Sequence, residues 1–505
     1  MRFEFIIVFG LVLAMKVLRK TQSLCPECLR VLDAEVYLSD DNVVRIRRVC
    51  PEHGEFDEVY TFSDPTLYEW AERYAHEPSG VTTPHTKSVK GCPFDCGLCE
   101  KHNSATVLAI IDVTNRCNMR CPICFANAAS AGFVYEPSLE QIRRMLETLR
   151  SIGPVPPPAL QLSGGEPTVR DDLLDIVKMA KDMGFRHVEV NTNGIVLAND
   201  IDYYKRLLDA GVSTIYLQFD GLNDDLYVKL RGIPMKDIKL KVIENARKIG
   251  HESIVLVVTL AKGVNDDQLG DIIRFALDNS DVIRCVNVQP ISFSGRASKL
   301  ERESMRINTS DFMKLVEKQT NGLISVYDFR PVPSVVPISR AVGALKGKRY
   351  VEFTTSPFCG VATFMVKTDE GWKPITRLAD VDKFFNAMDK VYEDASKGSK
   401  SKAYLRAAAS LRYVKFGLLK DLLVPVLREG SYEALGKFMR RVVMIGCMHF
   451  MDVWNFDLQR VNRCVIHYAL PDGTVRPFCT YNNIHRSVVE EKYGVPLSEW
   501  KSTKA

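Results

Sequence analysis

The stretch VLAIIDVTNRCNMRCPICFANA (107–128) carries an apolar, β-branched run straight into three cysteines, Cys117, Cys121 and Cys124. The run reads as a strand and the thiols as the loop that leaves it. The same thiol spacing occurs upstream in GCPFDCGLCEKH, with Cys92, Cys96 and Cys99.

Working outward, five further apolar runs follow the first: ALQLS (159–163), HVEVN (187–191), STIYLQF (213–219), SIVLVVTL (253–260) and VIRCVNV (282–288). Helical periodicity fills the gaps between them. In SLEQIRRMLETLRSIG, Ser138 and Gln141 have capping-box spacing and Leu139, Ile142, Met145, Leu146 and Leu149 share one face. Comparable helices are expected over 171–183, 200–210, 236–249, 267–279 and 310–320. Such alternation predicts an α/β fold with a parallel sheet and outer helices. Six βα units make a partial (β/α)6 barrel of TIM type, and its strand-following loops gather at the end where ligands bind.

The bulk composition is that of a globular protein. The chain has 505 residues, 46% hydrophobic and 26% charged, with a net charge of +5. No basic run interleaved with aromatics points to nucleic acid. The 14 cysteines fall mostly in close groups within a long chain, which favours metal ligation in a reducing compartment over disulfides. FIIVFGLVLAM (5–15) is apolar with basic flanks, but too short to span a bilayer. A simple extension or upstream start, an interfacial anchor and a signal peptide all remain open for it.

Three thiolates on one loop can hold a [4Fe–4S] cluster and leave one iron without a protein ligand. The other loops supply polar groups in order: SGGEP with Gly164, Gly165 and Glu166, NTNG with Asn193, and QFDG with Gln218 and Asp220. Two glycines allow close backbone approach, and the carboxylate suits an ammonium group. Together these loops resemble the radical S-adenosylmethionine (SAM) enzymes over about residues 104–345.

That resemblance implies that Cys117, Cys121 and Cys124 bind the SAM-cleaving cluster. It also places Gly164, Gly165 and Glu166 at the methionine amino end, Gln218 and Asp220 near the ribose or carboxylate, and QPISFSGRA (289–297) beside the adenine, while Asn193 of NTNG is a polar group able to reach a ribose or amino-acid moiety. The implied cofactors are [4Fe–4S] clusters and SAM, and the implied partner is a low-potential electron donor such as a ferredoxin. The expected product of cleavage is a 5′-deoxyadenosyl radical that abstracts hydrogen from an inert C–H bond.

Further metal sites are expected on both sides of the barrel. CPEC with Cys25 and Cys28, and CPEHG with Cys50 and His53, form two knuckles around a hairpin, suited to zinc or one rubredoxin-like iron. Cys92, Cys96 and Cys99 suit an auxiliary cluster whose fourth ligand is open, with His102 a candidate. Cys359, Cys447, Cys464 and Cys479 supply four more thiols for a second one, while Cys285 reads as a core thiol. The expected domains are an apolar extension over 1–22, a knuckle and auxiliary-cluster domain over 23–104, the barrel over 105–345 and a cluster-binding and substrate domain over 346–505.

Between Lys397 and Arg441, eleven Lys or Arg stand against three Asp or Glu on apolar, helix-patterned sequence. Such helices suit a greasy substrate with an anionic head group, a membrane surface, or an ordinary protein surface. The succession TQSLCPEC, CPEHGEF, GCPFDCGLCEKH and VTNRCNMRCPICFANA resembles the tetraether lipid synthase family of methanogenic archaea. The activity that resemblance implies first is coupling of the terminal methyl carbons of two phytanyl chains, from archaeol to macrocyclic archaeol or tetraether lipid. The alternative is methylation of 7,8-dihydro-6-hydroxymethylpterin in methanopterin biosynthesis, and a distant one is a non-catalytic iron–sulfur electron carrier. The expected location is the cytoplasm, with peripheral contact at the inner membrane surface.

Overall fold

The computed structural model describes residues 16–129, 132–299, 301–415 and 441–504, together with 428, 429, 431 and 433. The apolar segment 5–15 and most of 416–440 lie outside the described residues.

An antiparallel four-stranded sheet opens the chain: β1 (Lys16–Leu24), β2 (Val31–Leu38), β3 (Val44–Cys50) and β4 (Gly54–Val59). β1 begins at Lys16, so the extension expected over 1–22 ends earlier than the sequence reading placed it. The register Leu24↔Val31 and Cys50↔Gly54 sets both knuckles at one end of this sheet.

The barrel strands follow as expected. β5 (Leu108–Thr114) delivers the cysteine loop, within which β6 (Phe133–Val134) is a short strand. Next come β7 (Ala159–Gly164), β8 (His187–Thr192), β9 (Thr214–Gln218), β10 (Ile254–Leu260) and β11 (Ile283–Pro290), all parallel to their neighbours. The helix Leu139–Arg150 has the Ser138 and Gln141 capping box and buries Ile142, Met145, Leu146 and Leu149. Its face joins a continuous core with Leu160, Leu162, Val188, Val190, Ile215 and Leu217.

The C-terminal region is not a detached domain. β12 (Arg330–Pro331), β13 (Gly360–Thr368), β14 (Gly371–Pro374), β15 (Val442–Met448), β16 (Ile466–Ala469) and β17 (Val475–Pro477) join the barrel strands in one 12-stranded sheet. β15 lies parallel to β11 at one edge and β16 parallel to β5 at the other, so both barrel edges are covered. Among the described residues the sheet stays open between its outer strands. β18 (Val495–Pro496) pairs with β6 and ties the C-terminus to the cysteine loop. A boundary at 345/346 therefore cuts across one sheet, because edge strands need partners and the barrel edges supply them.

The basic helix Lys400–Ser410 packs through Ala403 against the C-terminal core, and its Lys402 and Arg406 both pair with Asp394. Among the described residues no helix is long and apolar enough to cross a membrane.

Candidate active site and metal centres

One cavity occupies the C-terminal end of the barrel strands, and Cys117, Cys121 and Cys124 line it together with Gly164, Gly165, Glu166, Asn193 and Gln218. The three thiols are partly buried. Burial pushes the Cys117 thiol up to about 12, with Glu166 and the two neighbouring thiols adding to it, so an uncompensated thiolate is costly there. A cationic iron cluster removes that cost, and the donor set fits one.

Gly164 and Gly165 meet the cysteine loop itself. A Cβ on Gly164 would stand 2.1 Å from the Thr114 carbonyl oxygen, and one on Gly165 2.2 Å from that of Arg116. The close approach lets Gly165 N–H donate to Thr114 and Glu166 N–H to Arg116, at 2.7 and 2.8 Å. Glu166 is likewise turned inward. Its Oε1 accepts from Thr168 N, Thr168 Oγ1 and Thr192 Oγ1, and its Oε2 from Asn193 N at 2.7 Å. The expected free carboxylate is thus mainly a brace between loops, with acceptor capacity left on Oε2. Asn193 Nδ2 reaches Asn118 of the cysteine loop at 2.7 Å.

Asp220 also departs from expectation. It is fully buried, accepting Thr259 N–H at 3.0 Å and two Arg231 donors at 2.6 and 2.8 Å, and it also takes the Gln218 amide. The group at the cavity is Arg231, which lies beside the Cys121 thiol. Sequence reading missed both Arg231 and its helix, Asp224–Arg231, although Asn223 and Gly232 are ordinary start and stop signals. Lys239 was missed too: fully buried, it donates to Gln218 Oε1 at 2.8 Å and to the Asn193 carbonyl, and burial lowers it to about 7.

The 289–297 segment clamps the cysteine loop from the far side. Arg296 donates from Nε to Cys121 O at 2.8 Å and from its backbone N–H to Cys124 O at 3.0 Å. Gly295, at φ +56°, leaves no room for a Cβ, which would lie 2.2 Å from the Phe125 carbonyl oxygen.

At the N-terminal sheet, ligand atoms of Cys25, Cys28, Cys50 and His53 all lie within 4.8 Å of one another. Cys50 Sγ to His53 Nδ1 is 3.5 Å and Cys28 Sγ to Cys50 Sγ is 3.9 Å. This is the compact arrangement a single tetrahedral ion needs. Among the described residues no other group of three potential ligands is as compact, and a cluster spreads its thiolates wider than one ion does.

Cys92, Cys96 and Cys99 share one loop, and Cys96 packs with Cys479 in a small apolar cluster. Cys359 and Cys479 flank the buried Arg460 guanidinium, and Cys464 lies near both thiols. Cys447 does not join them. It is fully buried in the main core, and the polar side chain beside it is Thr309, because alternation along β15 turns it to the helical side. His102 is likewise a core residue: its Nε2 meets Cys464 O at 2.9 Å and His467 Nε2 at 3.2 Å. Cys285 is buried in the barrel, as expected.

An open α/β barrel whose first loop presents three thiols to a shared cavity is the architecture of a radical SAM enzyme. Residues 111–276 match the Radical SAM superfamily and residues 17–61 the HMPTM N-terminal zinc ribbon domain. The 7,8-dihydro-6-hydroxymethylpterin dimethyltransferase of Methanocaldococcus jannaschii is 47% identical over 496 residues, covering 96% of this chain and 97% of that protein. The chain belongs to the radical SAM superfamily and, within it, to the family of that archaeal protein.

A probable GTP 3′,8-cyclase of Methanothermobacter thermautotrophicus is 28% identical over 37% of this chain and 60% of its own. Among solved structures, Streptococcus suis SuiB bound to its precursor peptide SuiA matches with 21% identity, 44% of this chain, 47% of that chain and a TM-score of 0.34. The cofactors are accordingly a [4Fe–4S] cluster and SAM, with an extra metal site at the ribbon.

Proposed function

We propose that this radical SAM enzyme methylates a 7,8-dihydropterin of the 6-hydroxymethyl type. The observation that carries this reading is the 47% identity, over nearly the full length of both chains, to a protein named for that reaction. With SAM, the cluster supplies a 5′-deoxyadenosyl radical when reduced.

The chain's own part is to hold and orient. Cys117, Cys121 and Cys124 are assigned to the SAM-cleaving cluster, since all three thiols line the cavity and no thiol outside that loop does. Gln218, Asn193 and Arg231 are assigned to SAM, with Gly164, Gly165, Glu166 and Asp220 fixing the loops that carry them. Cys92, Cys96 and Cys99, and separately Cys359, Cys464 and Cys479, are assigned to auxiliary clusters. The electron enters from an external donor.

Lipid coupling rested on the family resemblance, the multiplicity of cluster ligands and the basic amphipathic sequence, and within that sequence Lys402 and Arg406 both pair with Asp394. The cavity does have an apolar wall, including Met448, Phe450, Met451 and Phe478, that would suit a phytanyl chain. One experiment separates the readings. Reconstituted, reduced protein is incubated anaerobically with SAM as the radical source, a methyl donor (a second SAM molecule or a reduced one-carbon carrier) and either the dihydropterin or archaeol, and products are read by mass spectrometry. Added methyl groups on the pterin are expected, and Cys117→Ala, Cys121→Ala and Cys124→Ala should each abolish 5′-deoxyadenosine. A chain-to-chain bond in the lipid with an unchanged pterin would overturn the proposal.

A further inference from the structure

Below the cysteine loop, the barrel interior is lined by uncharged polar side chains on four of the barrel strands. Gln161 and Ser163 of β7, Asn191 of β8, Tyr216 of β9 and Gln289 of β11 all face the cavity. An interior of hydrocarbon would have been the default for a packed barrel. Hydrogen bonds among these groups fix which atom each one turns to the cavity.

Gln161 sits opposite Glu189 in the register and donates Nε2–H to its Oε1 at 2.7 Å, which leaves the Gln161 carbonyl oxygen toward the cavity. Asn191 donates Nδ2–H to Ser163 Oγ at 3.3 Å, leaving its own carbonyl oxygen in the same position. Tyr216 is held from the other side. Its phenolic oxygen accepts an amide N–H from Asn287 and another from Gln289, the latter at 2.9 Å. A phenol has two acceptor lone pairs and one donor, so with both lone pairs used the O–H is left to donate. Burial, with the Glu189 carboxylate nearby, pushes that phenol up and keeps its proton in place.

The floor therefore offers an acceptor on Asn191 level with a donor on Tyr216, and a second acceptor on Gln161 two residues deeper, level with Glu189. We infer that Gln161, Asn191 and Tyr216 read the edge of a 2-amino-4-oxopyrimidine ring. Its 2-amino group and ring N–H donate to the two carbonyls, and its 4-oxo group accepts from Tyr216. Glu189 and Asn287 are positioning residues beneath them. The inference deepens the pterin reading and rests on it for the choice of ligand, but the same edge occurs in guanine, so a guanine nucleotide is the other source of this chemistry. A phytanyl chain would leave the Gln161 and Asn191 carbonyl oxygens and the Tyr216 O–H unpaired, which is unfavourable for each of them.

The test uses the reconstituted holoenzyme with SAM, anaerobically, and measures binding by equilibrium dialysis. The ligands are 7,8-dihydro-6-hydroxymethylpterin and its 2-oxo counterpart, and guanosine and xanthosine triphosphates, which differ by the same exchange. Because a site built to donate and accept rejects a ligand lacking the matching group, the 2-amino pterin should bind about tenfold or more tightly than the 2-oxo compound. Gln161→Leu and Tyr216→Phe should each weaken the 2-amino pterin by about tenfold. Equal binding of 2-amino and 2-oxo ligands by the unmutated protein overturns the inference regardless of how the variants fold. Preference for the 2-amino compounds confined to the nucleotides keeps the edge reading and overturns the pterin substrate. A pterin bound with full preference by Gln161→Leu and Tyr216→Phe alike keeps that substrate and overturns these contacts.

Discussion

Arg231 holds Asp220 through two hydrogen bonds, Nε to Oδ2 at 2.6 Å and a terminal nitrogen to Oδ1 at 2.8 Å, with the carboxylate fully out of water. The pair joins two positions that sequence separates: Asp220 lies in the loop just past β9, and Arg231 closes the helix that follows. Thr259 of β10 is drawn in through its N–H to Asp220 at 3.0 Å and its hydroxyl to Arg231 at 2.9 Å.

Removing the carboxylate charge leaves a buried guanidinium without compensation. Asp220→Asn should therefore cost about 3–5 kcal/mol of stability, the usual penalty for stranding one member of a buried pair. Arg231→Lys keeps the charge but loses the fork, and should retain more stability while losing most 5′-deoxyadenosine formation. Thermal melting and deoxyadenosine release measure the two effects; an Asp220→Asn protein that melts with the wild type would show the pair to be idle.

Much of this site was legible in the chain. Alternating strand and helix periods gave the six barrel strands, and the spacing of Cys117, Cys121 and Cys124 gave the loop, because both are local patterns. Asp220 was misread as ligand-facing, and the bracing role of Glu166 was not seen, because a carboxylate at a strand end looks the same in sequence whether it meets solvent, SAM, a neighbouring loop or a buried arginine. The C-terminal strands were hidden for a related reason: β15 and β16 find their partners across the sheet, and long-range pairing leaves no mark on short runs such as Ile466–Ala469.

Cys447 illustrates the same limit and yields a sharper prediction. Cys359 and Cys479 flank Arg460 and Cys464 lies near both thiols, whereas Cys447 is packed in the main core. Cys359→Ala, Cys464→Ala and Cys479→Ala should each reduce iron in reconstituted protein by about 4 per chain, one cubane. Cys447→Ala should keep the full iron content and lose only packing stability. Iron analysis with electron paramagnetic resonance distinguishes them, and iron loss in Cys447→Ala would return that thiol to the ligand set.

The ribbon should behave as a separate metal-dependent unit. Its sheet is fastened to the rest of the protein at Asp457, which accepts from Arg19 at 2.6 Å, Thr21 at 2.7 Å and Tyr60 at 2.6 Å. Metal at Cys25, Cys28, Cys50 and His53 instead closes the far end. A chelator that strips one ion per chain should remove amide-exchange protection from the knuckles first, while β1 near Asp457 keeps its protection. Uniform loss of protection along all four strands would show the ion and the Asp457 contact to be one cooperative unit.

Buried histidines set the response to acid. His102 and His467 are both out of water, Nε2 to Nε2 at 3.2 Å, with His467 Nδ1 at 3.0 Å from Thr106 Oγ1. Burial lowers His102 to about 4 and holds His467 well below its ordinary value; His251 is also lowered to about 4, chiefly by burial. Between about pH 4 and the unfolded value of 6.5 the unfolded chain binds more protons than the folded one, so stability rises with pH there. The contribution is complete above 6.5 and is lost as pH falls toward 4, at up to about 1.4 kcal/mol per pH unit for each histidine. Glu490 acts with the opposite sign: burial raises it from 4.5 to about 7 against the pull of Arg486, so its contribution is present below 4.5 and lost as pH rises through 7. Glu490→Gln removes the opposing slope and should steepen the loss of stability on acidification, whereas His102→Gln should make it shallower. Denaturant midpoints from pH 7.5 down to pH 5 test both signs, and a Glu490→Gln profile parallel to wild type would show that this carboxyl titrates alike in the folded and unfolded chains.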